Sequence, residues 1–435
     1  MMKTVVTGAA PLKVRGIRFT GTESPDPAGI EPAAGEGSEE GTDDVLLERD
    51  EDLEVTPLKT PDGYRMVFSY NPRTFVEYTI GLKATTDLCS EMTYFDAHQK
   101  KTYLQVGLTQ QQECCAQGKA YTSIDGDPVG VAMYTDDESG TFTVTMHSPV
   151  RKAVQKLASR FNKLCASNNF WRGQHLQASA LGNNGKPLSF LPIPDLEEVC
   201  GFERVQKILH ENTVRFFECK KVHKITPQRG VMIHGRPGSG KSLLVRKTKL
   251  ELLNKGITVI DLTTEGMAYI TEWYAIVEKW LAPALIVLED IDLIARHREQ
   301  GNAAVTTDLL ASLGGNNKVR KPIVTLATTN KPDEIDEAVK RSRRMDKILK
   351  VDGIDPEFKV KLLKRNGVDL EEDLLVKGLR NMGEEVTGAD LETVGSDTLL
   401  YSSLGETLAE AFERSVTEWV DGHKNLRSLS MGFNK

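Results

Sequence analysis

Eight consecutive residues, Gly235-Arg236-Pro237-Gly238-Ser239-Gly240-Lys241-Ser242, carry the Gly-x-x-x-x-Gly-Lys-Ser spacing. Glycines let successive backbone N–H groups turn inward around phosphate oxygens, and a helix opening there adds its positive end. Lys241 would neutralise the outer phosphates of a triphosphate, and the Ser242 hydroxyl would ligate Mg²⁺. Val231-Met232-Ile233-His234 runs into this loop and Leu243-Leu244-Val245 leaves it, so a strand before and a helix after are expected. Such a loop needs an acid on a neighbouring strand to hold metal and orient water. Leu285-Ile286-Val287-Leu288 supplies it by ending in Glu289-Asp290-Ile291-Asp292. A further apolar run, Ile323 to Thr329, ends in Asn330, an amide placed either to bond an attacking water or simply to turn the chain. Arg341-Ser342-Arg343-Arg344 follows. Its arginines read as a nucleic-acid cluster, a solvated turn, or donors to the phosphates of an adjacent subunit, and composition does not choose.

The elements that must hold these residues follow from patterning. Apolar runs at Gly230–His234, Ile257–Leu262, Leu285–Leu288 and Ile323–Ala327 alternate with helical patterns, which predicts a parallel sheet with helices on both faces. Acids at the C-terminal ends of such strands sit where doubly wound sheets bind ligands. From Pro356 the pattern is helical. Upstream, Met66–Tyr70, Phe75–Ile80 and Thr102–Val106 have strand-like aromatic and β-branched content, and Val131–Tyr134 with Phe142–Met146 predicts a hairpin. Ser148-Pro149 reads as a helix start, followed at helical spacing by Val150, Val154, Leu157, Phe161 and Leu164. The basic residues on that helix, Arg151, Lys152, Lys156, Arg160 and Lys163, read as a solvated face or a contact for an acidic partner.

The expected organisation is an acidic disordered tail over 1–58, an α+β domain over 59–167, and an Asn/Gly/Pro-rich linker over 168–194. An α/β nucleotide-binding subdomain then spans 195–353, a helical lid 354–425, and a short tail 426–435. The fold class is thus α/β, a phosphate-loop parallel sheet sandwiched by helices with a helical lid, behind a small α+β domain.

Composition excludes several alternatives. Apolar residues at 39% and charged residues at 27% describe a globular chain and not a wholly disordered one. The greasiest stretch, Trp280 to Ile294, is broken by Pro283, Glu289, Asp290 and Asp292, so no membrane span is expected. The first residues lack the apolar core of a signal peptide. Six cysteines with no Cys-x-x-Cys pair fit free thiols in a reducing cytoplasm. The charge of −7 is concentrated: residues 21–54 hold 13 acidic side chains against Arg49 alone. The remainder is close to neutral, which does not favour a generally basic nucleic-acid surface.

Taken together, the phosphate loop, the acidic strand end, Thr329-Asn330, the Asp336…Ala338…Arg341…Arg344-Met345-Asp346 spacing and Thr387-Gly388-Ala389-Asp390-Leu391 resemble the AAA clade of AAA+ ATPases. The resemblance covers about 195–400 and opens at Asp195 to Gly201. It implies that Cys200 and Gly201 touch adenine, and that Gly235, Arg236, Pro237, Gly238, Ser239, Gly240, Lys241, Ser242 and Leu243 cradle ATP. Asn330 would be the sensor that positions water. Arg341 and Arg344 would be arginine fingers given across a subunit boundary, hence a homo-oligomeric ring, usually a hexamer. Gly388 and Ala389 would be lid residues beside the nucleotide.

Two departures from that family stand out. The usual acid order is Asp then Glu, whereas here Glu289 precedes Asp290. This order resembles that of the mitochondrial AAA translocase of a folded iron–sulfur protein. Glu289 would take the metal side with Ser242, and Asp290, one methylene shorter, would activate water, with slower hydrolysis expected from a displaced base. The interval from Asp261 to Leu285 is short. Within it Met267-Ala268-Tyr269-Ile270 offers either a substrate-gripping pore loop through Tyr269 and Ile270, or helix core shared with Trp273, Ile276, Val277 and Trp280. The function implied is an ATP-hydrolysing ring that remodels, unfolds or translocates proteins recruited by the N-terminal domain. The alternatives are a nucleic-acid-directed loader or helicase, and a slow-hydrolysing nucleotide-gated scaffold.

Overall fold

The centres of strands β11 (Gln228–His234), β13 (Ala284–Leu288) and β14 (Ile323–Thr329) are buried without alternation, because both faces of their sheet are covered. Val231, Met232, Ile233, Leu285, Ile286 and Val324 are fully buried. The computed structural model describes residues 57–432 except 71–74, 97–100, 182–185, 196–200, 220–226, 293–302, 314–320, 352–353, 355 and 384–385. The tail expected over 1–58 lies almost wholly outside these residues, and Cys200 lies outside them too.

The parallel sheet runs β12 (Thr258–Leu262), β13, β14, β11, β15 (Lys347–Lys350), so the phosphate-loop strand lies between the two strands that follow it last in sequence. Residues 168–194 are a departure from expectation. Instead of a linker they supply β9 (His175–Ala178), parallel to β12, and β10 (Leu188–Phe190), antiparallel to β9. The sheet thereby gains two strands at its β12 edge. Trp273 closes the join: it is fully buried and donates its indole N–H to the Ser179 carbonyl at 3.0 Å.

A second, antiparallel sheet orders β1 (Leu58–Thr60), β2 (Gly63–Tyr70), β8 (Phe142–Ser148), β7 (Asp127–Thr135), β6 (Gly118–Ile124) and β3 (Tyr94–Asp96). The predicted hairpin is β7–β8. Lys101–Gln105 and Gln111–Cys115 form a separate ribbon, β4–β5. Phe75–Ile80, expected as a strand, is the first part of helix α1 (Phe75–Ser90). Its buried positions Val76, Ile80, Ala84 and Leu88 recur every four residues, and that period outweighs the local β-branched content. Helix α2 begins at Arg151, with Ser148 Oγ accepting the Val150 N–H and donating to the Pro128 carbonyl. Both helices cover one face of this sheet. One apolar cluster then continues from Met66 through Phe161, Trp171 and Trp273 to Met345, joining the two sheets. Helices Pro356–Arg365, Glu372–Met382, Gly388–Ser403 and Leu408–Gly432 form the C-terminal part, around Leu363, Leu375, Leu391 and Phe412. No helix among the described residues is long and apolar enough to cross a membrane.

Candidate functional site

The phosphate loop leaves β11 at His234 and enters the helix Lys241–Leu253. Gly238 and Gly240 hold φ of +74° and +95°, a region that glycine occupies without strain. Neither position has room for a side chain. A Cβ on Gly240 would lie 2.5 Å from the Phe202 ring, and one on Gly238 2.8 Å from Thr387 Oγ1 and 3.0 Å from Ala389 Cβ. The expected lid residues Gly388 and Ala389 are therefore seated on the loop. Thr387 and Asp390 fix that seat by bonding each other's backbone N–H at the start of the helix Gly388–Ser403, at 2.8 and 3.3 Å. Gly201, at φ +82°, packs on Ile354 and Phe358, and Ile354 in turn reaches Gly388.

Lys241 is nearly buried and donates from Nζ to the carbonyls of Gly235 and Arg236, both at 2.8 Å. Burial lowers its pKa, and the charges of Asp290 and Asp292 oppose that shift. Ser239 Oγ is buried with no hydrogen-bond partner. An orphaned hydroxyl, inward-facing loop glycines and a desolvated ammonium are the donor set a triphosphate satisfies, so the residues fit that group. Among the described residues no three His, Cys, Asp or Glu side chains form a metal cage. Mg²⁺ held through phosphate oxygens, water, the exposed Ser242 hydroxyl and one or two carboxylates does not ask for one.

The acids after β13 part company. Asp290 has φ +51°, so the chain turns there, and its N–H bonds Thr328 Oγ1 at 3.1 Å. Its carboxylate accepts from Asn330 Nδ2 at 3.0 Å, which brings the expected base and sensor together. Asp292 is buried and accepts from Thr329 Oγ1 at 2.9 Å. Glu289, expected on the metal side, instead meets Lys249 Nζ at 3.2 Å. Lys249 is itself 2.8 Å from Asp261, whose same oxygen lies 3.1 Å from His175 Nε2.

The arginines occupy the opposite end of β11. A Cβ on Gly230 would lie 1.7 Å from the Arg344 carbonyl oxygen, so only glycine admits that close approach. Gly230 is four residues, about 13 Å of strand, before His234. Arg344 donates to the Ala338 carbonyl at 2.7 Å, and Arg341 is exposed. Neither arginine is brought to the phosphate loop of its own chain. The pore reading fails for Ile270, which is 1% exposed beside buried Met267 and Trp273. Tyr269 is half-buried on the same cluster and, with exposed Ala268, forms the turn between the helices Thr264–Met267 and Ile270–Ile276.

Phe202, Ile354, Thr387 and Asp292 belong to the site without having been assigned to it from sequence. The Thr387…Asp390 cap spacing and the third acid of the strand end were the available signals for two of them. Phe202 and Ile354 carry none, because an apolar side chain against a loop looks like any core residue.

Residues 231–352 match the family described as "ATPase family associated with various cellular activities (AAA)". A cell division cycle protein 48 homologue of Archaeoglobus fulgidus is 29% identical over 218 residues, 46% of this chain and 29% of that protein. A proteasome-activating nucleotidase of Methanosarcina mazei is 29% identical over 199 residues, 41% of this chain and 46% of that one. Protein SAV of Sulfolobus acidocaldarius is 29% identical over 224 residues, 47% of this chain and 28% of that one. The chain thus spans under half the length of these relatives. The solved AAA domain of FIGL-1 with ADP superposes with a TM-score of 0.40 at 21% identity, over 50% of this chain and 81% of that one.

Proposed function

We propose that this chain, an AAA+ P-loop ATPase, binds and hydrolyses Mg²⁺-ATP in a homo-oligomeric ring and uses the cycle to remodel, unfold or translocate protein substrates in the cytoplasm. The observation that carries the reading is the meeting, at the C-terminal ends of β11, β13 and β14, of Lys241, Asp290 and Asn330 under a lid seated at Thr387–Ala389. In this reading Lys241 and the loop N–H groups hold the triphosphate, and Ser242 helps hold Mg²⁺, which would supply charge neutralisation at the phosphates. Asp290 takes the proton of the attacking water, and Asn330 keeps that carboxylate oriented. Arg341 and Arg344, distant from their own loop, serve the neighbouring subunit, as a ring requires, and a hexamer is what the AAA resemblance implies. The described cysteines are free thiols, which fits a reducing compartment.

Recruitment through residues 59–167 is supported by the uncovered face of the antiparallel sheet. One register row crosses all six strands there: Leu58, Arg65, His147, Gly130, Tyr121 and Tyr94. Leu58, Tyr121 and Tyr94 of that row, with Val67 and Tyr134 beside it, are large exposed apolar side chains. Burial and the neighbouring Arg65 charge lower the pKa of His147, and Lys119 lies opposite Asp96 in register. Such a weakly charged, aromatic surface suits an apolar stretch of polypeptide better than a polyanion.

The test is ATPase activity and oligomeric state of the purified chain with and without an unfolded protein. Assembly in ATP and a rate raised by polypeptide support the reading. A monomer in saturating nucleotide, or a rate answering only to DNA in a salt-dependent way, overturns it. Binding without measurable single turnover would identify a nucleotide-gated scaffold instead.

A further inference from the structure

Lys249 lies two turns along the phosphate-loop helix from Lys241, and its side chain is only 6% exposed. A buried ammonium must be paired, and this one has two carboxylates: Asp261 Oδ2 at 2.8 Å and Glu289 Oε1 at 3.2 Å. Asp261 is held in turn by His175, whose Nδ1 lies 2.6 Å from the Pro192 carbonyl and whose Nε2 lies 3.1 Å from Asp261 Oδ2. The chain of contacts therefore runs from added strand β9 through β12 and the loop helix to the first acid after β13. Meanwhile the acids whose charge reaches Lys241 are Asp290 and Asp292.

We infer that Lys249 is a positioning residue: by pairing with Glu289 it holds that carboxylate at its own ammonium and off the metal side, leaving Asp290 and Asp292 as the acids presented to a Mg²⁺-bound triphosphate. The inference rests on the nucleotide-binding reading above. It follows from geometry, since Glu289 cannot stay within bonding distance of an ammonium anchored in the helix and also turn to the loop. It also accounts for the inverted acid order. The position that would ordinarily face the metal holds the longer side chain, and that length is used to reach Lys249. Neutralisation by a buried partner lowers what a carboxylate offers a cation, so the tether lowers the metal affinity of the whole site.

The test reads the Mg²⁺ midpoint for binding of a fluorescent ATP analogue, which does not require turnover. Lys249→Met is expected to free Glu289 and lower that midpoint about tenfold, the scale on which outer partners tune metal sites. Adding Glu289→Gln to Lys249→Met returns it, whereas Lys249→Arg keeps the original value. Should Lys249→Met fail to fold, Glu289→Gln alone still decides, because this half-exposed position tolerates the amide. The midpoint stays within twofold if Glu289 is withheld, and rises severalfold if Glu289 already binds metal, which overturns the inference. An unmoved midpoint in folded Lys249→Met overturns it as well. Analogue binding with either contrary result leaves the nucleotide reading intact. A folded chain that binds no analogue at saturating Mg²⁺ overturns both.

Discussion

The two sheets of this molecule use the same backbone geometry to opposite ends. The parallel sheet is covered on both faces, so its strand interiors are mostly apolar, and the loop lysine, the acids after β13 and Asn330 sit at strand ends, Asp261 within β12 being the exception. The antiparallel sheet is covered on one face, and its candidate contact residues stand along the middle of its strands. Chemistry that needs fixed distances belongs where several strands end together, and adhesion that needs area belongs on a face. The difference also decides which substitutions each sheet can bear.

The largest effect should come from the strand ends. Asp290→Asn removes the proposed base while keeping the shape that Asn330 contacts, so single-turnover ATPase is expected to fall about 10²–10⁴-fold with ATP still bound. Normal hydrolysis in that variant would assign the base elsewhere. Next comes the join of the added strands β9 and β10 to the parallel sheet. Trp273→Ala empties a fully buried site and loses the bond to Ser179, which should cost about 3–5 kcal/mol in denaturant unfolding. A loss near zero would mean that the added strands are dispensable to the core. Lys241→Ala should weaken nucleotide binding at least about 100-fold, roughly 2.7 kcal/mol, by titration calorimetry. Smallest in stability is Tyr121→Ser on the open face, expected within about 0.5 kcal/mol. The same variant should lower affinity for an unfolded polypeptide several-fold. A large stability loss there would show that the open face is structural, and the contrast between the sheets would dissolve.

How much of this was legible beforehand follows the same division. The phosphate loop and the strands flanking it are local patterns, so Gly235–Ser242 and the runs ending at Leu288 and Thr329 were found where they stand. The β9–β10 pair was not, because strands of four and three residues hold too few positions to show a period, and the surrounding Asn, Gly and Pro dominate the reading. The start of α1 misled for a related reason: Phe75–Ile80 is β-like until Ala84 and Leu88 extend the four-residue spacing. In the segment 267–270, Met267 and Ile270 pack beside Trp273 as core while Ala268 and Tyr269 turn between two helices, a division set by the fold and not by local sequence. Most instructive is Glu289. Its motif position suggested the metal, but Lys249, Asp261 and His175 stand 40, 28 and 114 residues away in sequence, and only the folded sheet brings them to it.

The unbroken apolar cluster from Met66 to Met345 has a thermodynamic corollary. Glu77 on α1 receives bonds from Lys279 at 2.6 Å and from the Trp280 indole at 3.0 Å, while Asn169 and Arg172 donate to the Trp280 carbonyl. Because one apolar cluster takes in residues of both sheets, heating should melt both in one endotherm. Excising the first 170 residues would strip the partner surface from Trp171, Phe190 and Trp280 and leave an aggregating remnant. The N-terminal sheet is thus less a passenger domain than a buttress of the parallel sheet.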